Sequence, residues 1–494
     1  MDMNDIQVPE KAIQVSHLIG GEWVPGSGSQ YNIESPYNGE VVGSGKACES
    51  ALVNKAIEKA SAASKTWGAT PLKERTSVMF NLREILLRDI DKISQIVSLE
   101  NGKTLGESKA GIMKGIEVLE YAISLQNLDQ GGRMEVSRGV FCEYRREPLG
   151  VIANITPFNF PAMVPMWTLP IAITLGNAYV WKPSDKTPIT SLYIGEAFKE
   201  AGLPAGVLTI LNGGVETVNS IIDHKEVKAV GFVGSSKIAG LVYSRAAALG
   251  KRVLALGGAK NHIVLLPDAD PEIAGRGIAD SFTGCAGQRC MAASVLLAVG
   301  DVEKQIAAIK KRAESMTLGL DMGAIITKEQ VEFLNAAISK AEAAGATILL
   351  DGRKFKAPAG KEGGFWLGPT ILDNVDPKSE ASKVELFGPI ISIVRVASIS
   401  EAMKIENEND YGNACSVFTT NGSLAEKVVS AASAGMVGVN IGVPVPREPF
   451  SFGGINHSKF GHGDITGTNS LNFWSDMKKI TTKWESQKDS NWMS

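Results

Sequence analysis

The feature that most constrains the fold is an alternation between Gly150 and Leu266. Short apolar runs stand at 150–155, 178–181, 206–211, 228–233, 252–256 and 262–266, with helical patterns between several of them. Apolar runs of strand length separated by helix-length segments predict βαβ units and a parallel sheet, so the chain is expected to be α/β. Pro157 to Trp181 imitates a membrane span because it is almost uncharged. It also holds Pro157, Pro161, Pro165 and Pro170, then Gly176-Asn177. Prolines at that density break a helix repeatedly, so the stretch reads as a loop, a buried helix and a strand in a soluble core, with no membrane partner expected. The run at 228–233 passes through Gly234-Ser235-Ser236-Lys237 into a helical pattern. A turn of small residues between strand and helix suits a phosphate on the helix N-terminus, although neither a G-x-G-x-x-G nor a Walker A pattern occurs there.

The rest of the chain extends the α/β reading. Residues 18–45 carry short strand signals and turns, and the pattern is helical from Ala51 to Asn101, with a break at Thr70-Pro71 and a stop at Gly102. A further helix is expected over 104–126, broken by Asp129-Gln130-Gly131-Gly132. The charged, alternating stretch 133–147 then reads as an exposed hairpin, and Ser470 to Lys483 as a strand. A second α/β pattern begins after Gly258, with strands near 294–299 and 390–396 and helices near 302–316 and 328–344. The net charge is −3, with no basic run, which gives no reason to expect a nucleic-acid partner. The five cysteines are irregularly spaced and MDMNDIQVPEK lacks the pattern of a signal or transit peptide, so a cytoplasmic protein is expected.

Ser281 to Ala292, SFTGCAGQRCMA, carries Cys285 and Cys290 among small residues. Gly, Ala and Gln leave room for a ligand and offer backbone N–H groups to a developing anion, while Arg289 places a cation beside Cys290 that would favour thiolate. The same cysteines also fit a role as small buried hydrophobes. A metal site is not expected, because the spacing is C-x4-C and no second Cys/His pair follows.

Several stretches together resemble the aldehyde dehydrogenase superfamily, in its order and at its spacing. They are Pro157-Phe158-Asn159-Phe160-Pro161, Lys182-Pro183-Ser184-Asp185, Gly234-Ser235-Ser236, Gly287-Gln288-Arg289-Cys290 and Glu385-Leu386-Phe387-Gly388-Pro389. The likeness spans about residues 18–484. Within the superfamily the chain is most similar to the CoA-acylating methylmalonate-semialdehyde dehydrogenase branch, through Gly258-Ala259-Lys260-Asn261-His262, Tyr411-Gly412-Asn413, Val443-Pro444-Val445-Pro446 and Phe450-Ser451-Phe452. The resemblance implies a Rossmann-type NAD-binding domain over 1–126 and 148–256, an α/β catalytic domain over 257–467, and a β oligomerisation arm over 127–147 and 468–494 that would make a homodimer or homotetramer.

The resemblance also implies roles. Cys290 would be the nucleophile, with the Asn159 amide and the Cys290 backbone N–H as oxyanion donors. Thr156, Phe158, Lys182, Ser184, Asp185, Gly234, Ser235, Glu385 and Phe387 would hold the dinucleotide. A carboxylate at Asp185 would repel a 2′-phosphate and favours NAD over NADP. Two departures sharpen the reading. The slot where hydrolytic members carry a glutamate base reads Ala255, which fits release of the thioester to coenzyme A, although His462 or Asp464 could activate water instead. At the substrate end the clamp for a small anionic aldehyde would be Lys114 with Arg289, and Arg447 joins it. Lysine lacks the planar fork of arginine, so carboxylate recognition would be looser, and Arg289 with Arg447 would also suit a tetrahedral anion. The alternative function is a hydrolytic dehydrogenase for a short sulfonated or phosphorylated aldehyde.

Overall fold

The computed structural model describes residues 6, 9, 11–128 and 131–484. Its centre is a sheet of eight strands, in the order Lys459–Phe460, Arg252–Leu256, Val227–Val233, Val151–Ile155, Ala178–Lys182, Leu208–Ile210, His17–Ile19 and Glu22–Val24. The five middle strands run parallel, and the strands at both edges pair antiparallel. Along the chain Val151–Ile155 is the first of the five and lies between the fourth and the second. The chain thus starts in the middle, winds outward to one side, and returns to build the other. A ligand crevice opens at such a reversal, beyond the carboxyl ends of the adjacent strands.

A second sheet of seven strands is built around the parallel strands Asn261–Leu265, Ala293–Val299 and Ile390–Val396. The central strands of both sheets are buried along nearly their whole length, which is why they read as continuous apolar runs rather than alternating ones. Pro157 to Trp181 resolves into a loop, two short buried helices at Met163–Met166 and Leu169–Thr174, and most of the strand Ala178–Lys182. No helix among the described residues is long and apolar enough to cross a membrane.

The helical run from Ala51 divides twice. Helices Ser50–Ala69 and Leu72–Arg88 separate at Thr70-Pro71, and Ile90–Asn101 follows a second turn at Asp89 before stopping at Gly102 in a left-handed conformation. Helix Leu105–Leu128 lies beside the site, and part of the break expected after it, residues 129–130, falls outside the described residues. The hairpin Gly132–Ser137 and Val140–Pro148 forms a three-stranded sheet with Ser475–Lys483. The tail is not strand from Ser470 onward. Ser470–Trp474 is a short helix, because Leu471, Phe473 and Trp474 all turn into the core there and alternation could not bury them together.

Candidate active site

Cys290 stands where two cavities meet. The first, of about 470 Å3, is the crevice at the reversal of strand order and is lined by Thr156, Phe158, Asn159, Lys182, Ser184, Asp185, Gly234, Ser235, Glu385 and Phe387 among others. The second, of about 390 Å3, reaches Cys290 from the other side and is lined by Glu107, Lys114, Phe160, Trp167, Cys285, Arg289, Arg447 and Phe452 among others. Phe160, Trp167 and Cys290 belong to both. The structure therefore brings Cys290 and Asn159 together with the residues expected at the dinucleotide in one cavity and the three expected substrate cations in the other, while His462 and Asp464 line neither.

The loop that presents Cys290 is held by strained backbone and buried amides. Cys285, Ala286 and Gly287 run at φ of 52°, 51° and 67°, three consecutive left-handed residues. That conformation costs roughly 1–3 kcal/mol for each non-glycine residue and persists only where surroundings enforce it. A Cβ at position 287 would stand 2.1 Å from the Gly388 carbonyl oxygen, so only glycine fits that close approach. The Gln288 side chain supplies part of the enforcement, donating to the carbonyl of Ala324 (3.2 Å) and accepting from the N–H of Ile326 (3.0 Å). Sequence reasoning quoted Asn261 and Asn413 only as parts of motifs. In the fold both side-chain amides donate to the Cys290 carbonyl, at 2.8 and 2.9 Å. They fix the peptide that follows the nucleophile.

Asn159 is buried and donates one N–H to the Gln288 carbonyl at 3.0 Å. Its other N–H remains available at the crevice wall. Burial, with the Glu385 carboxylate adding to it, pushes the Cys290 thiol up to about 12, against Arg289 and Lys103, which pull it down. The expectation that Arg289 would favour thiolate holds in direction but not in balance. Its Nη2 donates to the carbonyls of Asp280 (2.7 Å) and Ser281 (2.8 Å), which spends much of its charge on backbone. Its Nε is buried without a hydrogen-bond partner. Lys103 is a cation that motif reasoning missed. It is buried, with its ammonium 3.6 Å from the centre of the Phe160 ring, and only its apolar surroundings, not a local pattern, distinguish it from a surface lysine.

In the crevice, Lys182 ends its strand with a buried side chain, and burial lowers its pKa while Asp185 raises it. No hydrogen bond or ion pair is formed by its ammonium among the described residues. Ser235, before helix Ser236–Ala248, makes no capping hydrogen bond with its side chain. A buried cation without a partner, an open helix start and a carboxylate at the rim fit a nucleotide with hydroxyl and phosphate oxygens. Phe158 and Phe387 meet edge to face at 5.9 Å, a rigid apolar wall beside Glu385.

The substrate-side cations have partners the sequence reading did not pair with them. Lys114 binds Glu117 at 2.9 Å and Glu448 at 3.4 Å, and Arg447, exposed, reaches Glu117 at 3.4 Å rather than Glu448. His462 and Asp464 lie on neither cavity; Asp464 is taken by Lys459 at 2.9 Å and Asn469 at 3.0 Å. Ala255 is fully buried in the sheet between Phe232 and Phe460 of the neighbouring strands and lines neither cavity.

The family model for the aldehyde dehydrogenase family matches residues 23–480. A malonate-semialdehyde dehydrogenase of Pseudomonas aeruginosa is 40% identical over 482 residues, covering 95% of this chain and 96% of the relative. One of Halalkalibacterium halodurans is 38% identical over 480 residues, 95% and 98% of the two chains. Among solved structures, the methylmalonate-semialdehyde dehydrogenase of Oceanimonas doudoroffii superposes with a TM-score of 0.94 at 38% identity, over 96% of this chain and 99% of that one. The indole-3-acetaldehyde dehydrogenase of P. syringae, solved with NAD+, superposes with a TM-score of 0.92 at 26% identity, over 98% and 100%. A buried-loop cysteine at the junction of two cavities, one of them the crevice at the reversal of strand order, in a fold shared end to end with these enzymes, has one reading: the chain belongs to the aldehyde dehydrogenase family.

Proposed function

We propose that the protein oxidises a small semialdehyde with NAD through a thioester on Cys290 and releases the acyl group to coenzyme A. The relatives' names support the semialdehyde, and the NAD complex of the P. syringae enzyme supports the cofactor. Bound NAD supplies the hydride acceptor. Cys290, as thiolate, adds to the aldehyde carbonyl; the Asn159 amide and the Cys290 N–H take the oxyanion, a task worth ~10²–10³ in rate per donor. Lys182 and Glu385 hold ribose hydroxyls, and Asp185 disfavours a 2′-phosphate. Arg289 receives the substrate's carboxylate on its Nε side, and Lys114 and Arg447 contribute charge from the rim. Because Arg447 is exposed and paired with Glu117, a carboxylate is preferred to a tetrahedral sulfonate or phosphonate.

The observation that carries the acyl-transfer step is the fate of the carboxylates. Position 255 is a buried alanine. Glu107 spends its two oxygens on the N–H of Cys285 and on Thr104, which leaves it poorly placed to take a proton from water. A thiol is a better acceptor under those conditions because it needs less help from a base. Steady NADH formation from malonate or methylmalonate semialdehyde is expected to rise several-fold on adding coenzyme A, with acyl-CoA as product; an unchanged rate and a free acid product would overturn the acyl-transfer step. The arm sheet leaves Met134, Val136 and Trp484 exposed, in keeping with a homodimer or homotetramer assembled across it; light scattering that gives a monomer mass would exclude that assembly.

A further inference from the structure

Glu385 is usually considered only for what it offers to the crevice, but behind it the structure holds a second ionisable group. Lys260, at the start of the second sheet, is 2% exposed. Both groups line a cavity of about 10 Å3, close to the room one water molecule needs, together with Asn261, Gly287, Arg289 and Phe387 among others. Lys260 and Glu385 form no direct ion pair among the described residues, and this small cavity is the space they share. One Glu385 oxygen, Oε1, accepts the Ala259 N–H at 2.8 Å, which orients the carboxylate and leaves Oε2 beside Gly258 at the crevice. Glu385 and Cys290 line that same crevice.

We propose that Lys260 is the proton-holding partner of Glu385: the pair, linked through the small cavity, takes up the proton that Cys290 loses. This rests on the reading of Cys290 as the nucleophile. The step balances. The Cys290 S–H bond breaks, a C–S bond forms to the aldehyde carbon, the aldehyde C–H pair leaves as hydride to the nicotinamide, and the S–H proton passes to Glu385 and across the cavity to the Lys260 amine. One proton is released per turnover, and it leaves from the pair once product departs.

The electrostatics agree with the geometry. Burial raises the Glu385 carboxyl and lowers the Lys260 ammonium, while each draws the other back toward its charged form, so both move toward neutral pH, where a proton can rest on either. The other titratable groups that face the pair are Arg289 and Cys290 from the loop, His262 two residues along the strand and Tyr411. Burial holds His262 down at about 3 and raises Tyr411, so both are neutral across the working range. Removing Lys260 takes away one of the pair's two proton-accepting positions and, wherever it is protonated, a positive charge, which disfavours the Cys290 thiolate and keeps Glu385 protonated to higher pH.

The test is iodoacetamide alkylation of Cys290 in the free full-length enzyme, followed by peptide mass across pH 5 to 10, in wild type, Lys260→Met, Lys260→Arg and Glu385→Gln. Folding is checked by circular dichroism and NAD titration. Alkylation in Lys260→Met is expected to be about tenfold slower at pH 7, with its inflection moved up by roughly one pH unit, and Lys260→Arg, whose guanidinium stays protonated and cannot take up a proton, should not restore the wild-type profile. Glu385→Gln should lose the inflection. Profiles that superpose on wild type, or a Lys260→Arg that restores the wild-type profile and so shows that fixed charge alone suffices, would overturn the proposal. Should Lys260→Met not fold, Lys260→Gln carries the same comparison. No aldehyde or coenzyme A enters the measurement, so a failure here is distinct from a failure of acyl transfer; turnover surviving in Cys290→Ser would instead remove the earlier reading.

Discussion

The two cavities that meet at Cys290 treat charge in opposite ways. In the crevice, the buried Lys182 ammonium has no ion-pair or hydrogen-bond partner among the described residues, and Glu385 is held by a single backbone N–H beside one free oxygen. In the substrate cavity, Lys114 is shared between two carboxylates and Arg447 leans on one of them. An unpartnered buried charge loses solvation that a ligand can restore, so it binds strongly and selects sharply. A paired charge can only exchange one carboxylate for another, for little gain. The remaining walls of the substrate cavity, Phe160, Trp167, Met291, Val443, Val445 and Phe452, are apolar. Discrimination is therefore expected to concentrate on the crevice side and at Arg289, with a permissive outer rim.

Loss of the shared point tests the whole frame. Cys290→Ser is expected to lower kcat for any aldehyde by about 10⁴-fold or more while NAD still binds, since the crevice keeps its other contacts. The same group sets the pH dependence. With the thiol held up at about 12, the reactive thiolate is the minor form throughout the working range, and its fraction rises with pH. Alkylation of the free enzyme should quicken as pH rises from 6 to 9, by up to about tenfold per unit; a rate flat in pH would mean the thiol is already ionised. Asn159→Ala should follow, with kcat down by about 10²–10³-fold and little change in NAD affinity, as expected for a donor used only when the oxyanion forms.

These two residues and most of the crevice were named through the family resemblance, and the stretches that carry it are compact in the chain for one physical reason. A parallel sheet reads as apolar runs at fixed intervals, and its crevice is made by the turns that end those runs, so Thr156 to Asn159, Lys182 to Asp185 and Gly234-Ser235 are local in the chain as well as in space. The substrate cavity is assembled from helix Leu105–Leu128, the loop ending at Cys290 and residues 441–452, segments joined only by tertiary contact. Lys114 and Glu448 are separated by 334 residues, Arg447 and Glu117 by 330. No periodicity or turn rule couples such positions, so the cations were visible and their neutralisation was not. Lys103 and Lys260 were hidden similarly: a lysine in a sequence reads as solvated, and only packing reveals that it is buried. The helix Ser470–Trp474 was missed because three apolar residues in five are compatible with strand or helix, and the core decided.

A smaller effect is expected on cofactor choice. Asp185 is exposed at the crevice rim, so its influence on a 2′-phosphate is screened by solvent. Asp185→Asn should improve kcat/KM with NADP by about tenfold and leave NAD within a few-fold. An equal change with both dinucleotides would show that Asp185 acts on the shape of the loop rather than by charge.

The smallest effect is the one that separates the cavities most cleanly. If the rim is permissive because its cations are already paired, then removing a partner should make it selective. In Glu448→Gln the Lys114 ammonium keeps only Glu117, at 2.9 Å, and gains a free share of charge toward the cavity. Lys114 is partly buried, so that charge is not fully screened, and a single surface-type pair is worth about 0.2–1 kcal/mol. KM for a carboxylate-bearing aldehyde is therefore expected to fall by about two- to fourfold. KM for an uncharged aldehyde of similar length should stay fixed, as should NAD affinity and the pH profile. A fall of the same size for both aldehydes would mean that Glu448 shapes the mouth sterically, and the distinction between a charged crevice and a neutralised rim would then lose its physical basis. A rise for the anionic aldehyde alone would mean that Glu448 holds Lys114 in place for binding, so that the pair recognises the anion as a unit.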